Sequence, residues 1–580
     1  MRNITIPRII KAHSSLLLVI LVSIGFFFFT SSFNFLSQDS SFRKWLSPDE
    51  TANYTFSKLF AETDNLQFFE SYNLISKDII HPRSFRSDWG WIKPMSFLGL
   101  PILFGTLGKI FGSGILPYLS PFFGAVGIIF FYLLIKELFG RSIALWSAIL
   151  LAIFPVYIYF SARSFFHNIL FIVCIIAGTY FGVVMSRRPT VSGGSYLKNN
   201  KIQIATALLA GLCFGWGIVT RTSELMWVGP LLVCLYIFNF RRIGLVKLFI
   251  FLLGLFISFL PVLYWNQLLY GSWYASGYPE LNNSLGTLTE NGLALAQTTA
   301  SGHFWEIKPV LAKLKMTIFH FGYKPEQSAT MFNRYVIVMF PWIFWSAVVG
   351  LGIFIARFKG YTKGRWLYVL AWACSSVIVI LYYGSWLFYD NPDPKSFTIG
   401  NSYTRYWLPF YLGALTLGSL ALVTITSWLR KPWLMVIVRC IAIITVAVVS
   451  IRFVWLDPAE GIKVSIIKQQ AAKVEWQKVL EKTETNSVII TRYHDKVLFP
   501  ERKVVVGLFN DKNIISEYAN LANRLTVYYY NFTFPEKDLL YLNSGILLEM
   551  GLVLTPIDQI TESFTLYSLK KIPIESILGI

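Results

Sequence analysis

The stretch Ser47-Pro48-Asp49-Glu50 places two adjacent carboxylates where acid–base chemistry can be done. An amphipathic pattern follows it, Ala52, Phe56, Leu59 and Phe60, so the four residues read as the start of a helix. Ser47 suits the N-cap, Pro48 the first helical position, and Glu50 closes a capping box three residues beyond the cap. Asp49 has no task in that arrangement. As a first-turn carboxylate it can merely complement the helix dipole, or it can take a proton from a hydroxyl within hydrogen-bond reach; Asp49 and Glu50 are therefore the candidate catalytic pair. Four cations on the outer side, Lys93, Arg163, Arg221 and Arg405, are candidates for holding an anionic group. Arginines at run ends, Arg163 and Arg221, also snorkel to the membrane interface, and Arg221 has Glu224 one helical turn away, so a structural ion pair competes with anion binding. His81, beside Pro82, is a candidate pocket residue whose ordinary alternative is solvation.

The elements that must hold these residues are set by composition. Only 14% of the 580 residues are charged, 55% are hydrophobic and 17% aromatic, and the mean hydropathy is +0.54. That is more apolar surface than a soluble core can bury, so most of the chain has lipid as its solvent. Apolar runs of about 20 residues, the length that crosses ~30 Å of hydrocarbon, occur near 14–36, 117–137, 142–161, 165–186, 203–219, 224–239, 244–266, 335–356, 366–387, 405–428 and 432–455. Eleven spans are predicted. The net charge of +20 does not point to nucleic acid. With the N-terminus inside, six cytoplasmic segments hold 18 Lys and Arg against one acid, Glu137, as the positive-inside tendency requires. The apolar segment 94–112 carries Pro101, four glycines and Lys109, and a full crossing there would invert every later basic loop. It is predicted as a re-entrant or interfacial helix on the outer side. The first span is longer than a signal-peptide apolar region and lacks a small-residue cleavage site, so it reads as a retained anchor.

The expected fold class is thus an α-helical polytopic membrane protein with outer juxtamembrane helices and a small C-terminal α/β domain. Residues 1–455 form the transmembrane domain with outer loops 37–116 and 267–334, and 456–580 form the extracytoplasmic domain. In that tail helix-like runs (466–482, 513–523) alternate with β-rich ones (487–491, 503–507, 525–530). The five cysteines lie inside apolar runs without metal-ligand spacing and read as small core residues. The Trp and Tyr residues near 264–278 and 382–389 read as an aromatic belt at the headgroup level, with sugar stacking as the alternative.

A long outer loop with Pro48-Asp49-Glu50 just after the first span resembles the GT-C glycosyltransferases that use polyprenyl-phosphate sugars, in particular protein O-mannosyltransferases and lipid A aminoarabinose transferases. Trp91-Ile92-Lys93-Pro94 is similar to their Lys-Pro-Pro element, with Met95 at the second proline. Tyr270-Gly271-Ser272-Trp273 and Gly277-Tyr278 resemble a Gly-Ser-Pro…Gly-Tyr loop, with Trp273 replacing proline. Arg405-Tyr406-Trp407-Leu408-Pro409 resembles Arg-Tyr-x-x-Pro. The resemblance covers about residues 1–455. It implies an enzyme of the plasma membrane that moves a hexosyl or pentosyl group, with inversion, from a polyprenyl-phosphate donor to a protein, lipid or glycan acceptor on the outer face. Asp49 would be the base, Lys93 and Arg405 the leading phosphate ligands with Arg221 and Arg163 assisting, and Tyr278, Tyr406, His81 and His167 pocket residues. Where relatives often carry another acid after the third span, this chain has His167-Asn168, which offers no carboxylate to a hard cation. No cofactor or metal and no nucleic-acid partner are expected. The rivals are a multi-span transporter or lipid-carrier flippase, which would show ionisable residues at mid-span and repeat-related broken helices, and a non-catalytic scaffold.

Overall fold

The computed structural model describes residues 6–39, 41–187, 196–278, 322–390 and 397–572. The helices are α1 Ile6–Ser37, α2 Pro48–Thr63, α3 Gly99–Phe111, α4 Leu119–Phe139, α5 Arg141–Ala152, α6 Pro155–Ala162, α7 His167–Met185, α8 Tyr196–Thr220, α9 Leu225–Tyr270, α10 Pro325–Phe332, α11 Pro341–Ala356, α12 Lys363–Gly384, α13 Ser402–Tyr406, α14 Leu408–Thr426 and α15 Pro432–Trp455. Two apolar stretches are bent rather than straight. Pro155 and Pro341 each open a helix, and the residue before each leaves helical geometry, as proline's ring demands. The α5–α6 pair bends by 53° and the stretch from Pro325 to Ala356 by 98°. The 46 residues of α9 would run roughly 69 Å at 1.5 Å per residue, over two bilayer cores. Gly244 divides it with a backbone φ of 68°, a conformation open to glycine and strained for other residues. With each bent pair as one span and α9 divided at Gly244, the described residues hold eleven membrane-length segments.

With only 13 residues, α3 measures roughly 20 Å, too short to cross. It lies against α2, where Gly105 lets the Phe60 ring and the Ser57 carbonyl approach closely; a Cβ there would come within 2.8 Å of Phe60.

The basic segments gather at one end of the bundle. Arg187 pairs with Glu137, Lys247 donates to Gln203 and to the Met185 carbonyl, Lys363 to the Phe238 carbonyl, and Arg365 to the Leu138 carbonyl. The loop 37–116 occupies the opposite end. Beyond α2 and α3 it forms a three-stranded antiparallel sheet in the order β1–β3–β2 (β1 Phe68–Phe69, β2 Phe85–Asp88, β3 Trp91–Pro94), which the sequence pattern does not announce. The second outer loop, 267–334, falls mostly on 279–321, outside the described residues.

The tail begins with α16 Ile462–Glu481 and continues through β4 Val488–Thr491, α17 Asp495–Leu498, β5 Lys503–Val506, α18 Lys512–Ala522 and β6 Val527–Phe532. Two further strands, β7 Leu552–Gln559 and β8 Phe564–Lys571, are additions to the expected three. The sheet order is β5–β4–β6–β8–β7, parallel among the first three strands and antiparallel thereafter. This unit shares its core with the first loop. Phe56, Leu66, Phe85 and Ile92 pack in one buried cluster with Ile489, Leu498, Phe499, Val504 and Tyr530. Ion pairs Arg83–Asp495 (2.6 Å), Lys503–Glu70 (2.6 Å) and Lys77–Glu517 (2.7 Å) cross the same seam, together with Lys44–Glu501.

Candidate functional site

The site assembles at the N-terminus of α2. The Ser47 N–H donates to the Glu50 carboxylate at 3.1 Å, the half of the capping box that fixes where the helix starts. Glu50 is 1% exposed and pairs with Arg163 at 2.5 Å. Arg163 stands at the C-terminal end of α6, where its guanidinium also donates to the Tyr159 hydroxyl at 2.9 Å. Burial pushes the Glu50 carboxyl up and Arg163 pulls it back. Cap and guanidinium thus occupy Glu50. Its neighbour Asp49 is turned outward, with the side chain 41% exposed and one oxygen 3.9 Å from Arg405. The other oxygen accepts from the Ser84 hydroxyl at 2.7 Å.

Arg405 sits on α13, capped by Asn401, and leans on the Phe166 ring with 4.5 Å between guanidinium carbon and ring centre. One terminal nitrogen donates to Ser402 at 2.9 Å, while the buried Nε has no protein partner. A buried guanidinium N–H left open is costly unless something accepts from it, so the Arg405 fork is shaped for an anion. The Tyr406 ring separates Arg405 (5.1 Å) from Arg221 (4.6 Å) and stacks on Tyr383 at 4.3 Å. Arg221 is held by Glu224, 2.9 Å away, and donates to the Tyr383 hydroxyl at 3.0 Å. The structural ion pair foreseen for Arg221 is present, with the cation one ring away from Arg405.

His167 opens α7, its ring nitrogens against Asn53 (3.4 Å) and the Phe97 carbonyl (3.2 Å). It lies within electrostatic reach of Asp49, Arg221 and Arg405. So does Tyr278, whose ring meets Phe97 at 5.3 Å. The preceding Gly277 is pressed against the Pro94 carbonyl, where a Cβ would sit at 2.6 Å, which explains a glycine before that tyrosine. Lys93 is buried on β3. Its ammonium pairs with Asp88 at 2.7 Å and donates to the Leu269 carbonyl at 2.6 Å, so it ties the first loop to the end of α9 and is not within ion-pair distance of Asp49. Among the described residues no group of three or more His, Cys, Asp or Glu is placed to hold a metal.

A cavity of about 830 Å³ lies within the bundle, lined by Trp227, Pro409, Ile172 and Leu252 and, at the basic end, by Arg187 and Arg242; Asp49, Arg405 and Arg221 are not part of its lining. Its lining is predominantly apolar.

A family model described as dolichyl-phosphate-mannose-protein mannosyltransferase matches residues 101–265. Among solved structures the chain is similar to the archaeal oligosaccharyltransferase AglB of Archaeoglobus fulgidus, in complex with an inhibitory peptide and a dolichol-phosphate. The TM-score is 0.55 at 14% identity, over 92% of this chain and 70% of that one. It is also similar to ArnT from Cupriavidus metallidurans bound to undecaprenyl phosphate, with a TM-score of 0.53 at 12% identity over 96% and 98% of the two chains. No curated protein matches the sequence. The chain shares the fold of these two proteins.

Within that fold, two residues stand elsewhere than expected. His81 lines a separate small cavity with Ile80, Phe499 and Lys503, bridges to Val505 on the edge of the C-terminal sheet and bonds to the Pro82 carbonyl, where burial depresses its protonation. Tyr383 is no belt residue, since it is buried against Glu224, Arg221 and Tyr406, whereas Tyr264, Trp273, Tyr274 and Tyr389 are exposed as a belt requires. Ser84 and Tyr383 escape sequence reasoning because their partners lie 35 and 159 or more residues away. Ser84 stands before a strand in left-handed backbone with φ 64°, a conformation its residue type does not announce.

Proposed function

We propose that the protein is an integral membrane glycosyltransferase that moves a hexosyl or pentosyl group from a polyprenyl-phosphate donor to an acceptor at the outer face of the membrane. The observation that carries this reading is the pairing of a partly exposed carboxylate, Asp49, with an arginine whose buried Nε has no partner, at the end of the bundle opposite the basic loops. The fold of AglB and ArnT, whose complexes hold dolichol-phosphate and undecaprenyl phosphate, supports it. Asp49 takes the proton from the acceptor hydroxyl as its oxygen attacks the anomeric carbon. The bond from that carbon to the phosphate oxygen breaks on the opposite side, the polyprenyl phosphate leaves, and the anomeric centre inverts. The leaving group already carries its own acidity, so the protein's task is to hold charge and geometry. Arg405 meets the phosphate first, Arg221 adds field across Tyr406, and Arg163 assists by keeping Glu50 neutralised. Lys93 joins by exchanging Asp88, which is partly exposed, for a phosphate oxygen. The apolar lining of the cavity suits an isoprenoid chain.

The charge bias supports a basic end in the cytoplasm and the site with the C-terminal domain outside. The test is sugar transfer itself. Membranes holding the protein are incubated with labelled undecaprenyl-phosphate sugars, and the loss of lipid-linked label is followed. Transfer that depends on Asp49 is expected; retention of the label by every donor, beside a protein that carries the lipid across the bilayer, refutes the reading in favour of a flippase.

A further inference from the structure

The charged residues that line the 830 Å³ cavity all stand at its basic end: Glu137, Arg187, Arg242 and Lys363. Three cations face one carboxylate there, and Arg187 takes up Glu137. Arg242 closes the first half of α9, just before the break at Gly244, so it stands at headgroup level between two spans. Among the described residues its guanidinium has no hydrogen bond or ion pair, while Lys247 takes up its backbone carbonyl at 2.9 Å. Tyr236 and Asn239 precede it at helical spacing, so the three share one face of α9, and all three line the cavity. The Tyr236 hydroxyl is buried and, among the described residues, has no hydrogen-bond partner.

Thr362, Lys363 and Gly364 bring the N-terminus of α12 to the same end of the cavity. The Thr362 side chain makes no capping bond, so the first N–H groups of this 22-residue helix are open to an outside acceptor. Lys363 donates to the Phe238 carbonyl, which holds the start of α12 beside the half of α9 that carries Arg242. A free guanidinium, an orphaned hydroxyl and an uncapped helix start are donors without an acceptor, and a buried donor left so is costly until one arrives. The remaining walls are predominantly apolar. We infer that this end of the cavity binds an anionic glycerophospholipid of the adjoining leaflet, the cytoplasmic one by the charge bias. Its phosphodiester accepts from Arg242, Tyr236 and the start of α12, and an acyl chain runs along Leu232, Leu248 and Ile176.

Charge and position both narrow the ligand. Arg242 and Lys363 have no carboxylate within ion-pair distance among the described residues, so a headgroup that carries its own ammonium gains less there than one that does not. Basic recesses between spans on the cytoplasmic side suit such anionic lipids. The phosphate is not that of the sugar donor. Tyr383, to which Arg221 donates at 3.0 Å, lies near the other end of α12 from Lys363, roughly 30 Å away along the helix. One phosphate cannot serve both ends. The lipid site is therefore separate from the transfer site and stands whether or not sugar is transferred, and the donor's chain keeps the Trp227 end of the cavity.

The experiment titrates dioleoyl phosphatidylglycerol, dioleoyl phosphatidylcholine and undecaprenyl phosphate into the full-length protein in detergent and counts bound lipid by native mass spectrometry. One phosphatidylglycerol per chain is expected to bind ahead of phosphatidylcholine. Arg242→Gln should weaken it at least about tenfold and Tyr236→Phe about fivefold, each the loss of a hydrogen bond to a charged group. Arg241→Gln is the control, an exposed neighbour outside the cavity lining, and should change affinity by less than about twofold. Without lipid, Tyr236→Phe should melt no lower than the parent, because an orphaned hydroxyl adds nothing to the fold. A lower melting temperature would give that hydroxyl a partner in the protein and overturn the proposal. Equal binding of phosphatidylcholine, unchanged affinity in Arg242→Gln, or an equal loss in Arg241→Gln, which marks diffuse attraction to the basic surface, overturns it as well and leaves the transferase reading intact. Undecaprenyl phosphate binding should fall with Arg405→Ala and survive Arg242→Gln; the reverse pattern puts the polyprenyl phosphate at the basic end and overturns both readings together.

Discussion

Asp49→Asn and Glu50→Gln exchange one charged oxygen for an amide at adjacent positions, and the structure assigns them opposite consequences. Glu50 is 1% exposed and holds Arg163 at 2.5 Å. Removing its charge leaves a buried guanidinium uncompensated, a class of change that costs roughly 3–5 kcal/mol. It also weakens the hydrogen bond that closes the start of α2. Asp49, with 41% of its side chain exposed, contributes to the helix only as a first-turn charge, roughly 0.3–1 kcal/mol. Loss of a general base, by contrast, costs about 10² to 10⁴ in rate, or roughly 3–5 kcal/mol of transition-state free energy. Asp49→Asn should therefore melt near the parent temperature, bind undecaprenyl phosphate and transfer sugar at no more than about one hundredth of the rate. Glu50→Gln should melt markedly lower, and the fraction that stays folded should retain transfer to within about tenfold. The assay pairs thermal unfolding of the solubilised protein with single-turnover transfer from a labelled donor. Near-normal transfer by Asp49→Asn, together with a stable but inactive Glu50→Gln, would exchange the two roles. If neither variant changes the rate, the proposed mechanism fails.

Arg405→Ala and Lys93→Ala should each lower turnover at least about tenfold, the equivalent of ~1.4 kcal/mol; a folded Lys93→Ala with unchanged kinetics would leave Lys93 only its tie to Asp88 and Leu269. The C-terminal unit itself should weaken in acid. Burial alone would raise Glu475, but its bonds to His494 and Tyr530 outweigh burial and hold it below the ordinary 4.5. Its contribution is complete above about 4.5 and is lost as pH falls through the depressed value. Glu475→Gln should flatten the acid limb of melting temperature against pH, and an unaltered limb would refute the account. For orientation, cysteines introduced at Ser113 and Asn523 should react with an impermeant reagent from outside intact cells while one at Asn199 stays protected; the reverse pattern would invert the chain.

The sequence by itself determined how many times the chain meets the membrane, because apolar length and charge bias are local properties. Eleven runs and one short apolar segment, 94–112, could be read residue by residue, the segment forming a helix over 99–111. The start of α2 was equally legible, since Ser47, Pro48 and Glu50 act within one helical turn. What pairs with what was not legible. Glu50–Arg163 spans 113 residues, Tyr383–Glu224 spans 159 and Arg83–Asp495 spans 412, and no local periodicity encodes such contacts. The tertiary structure decided that Glu50 is neutralised while Asp49 remains available, and that His81 lines a small cavity at the seam with the C-terminal unit. It decided too that the C-terminal sheet shares a core with the first loop. The physical reason is that a carboxylate's role depends on its burial and on the charges around it, and both exist only once distant segments have packed.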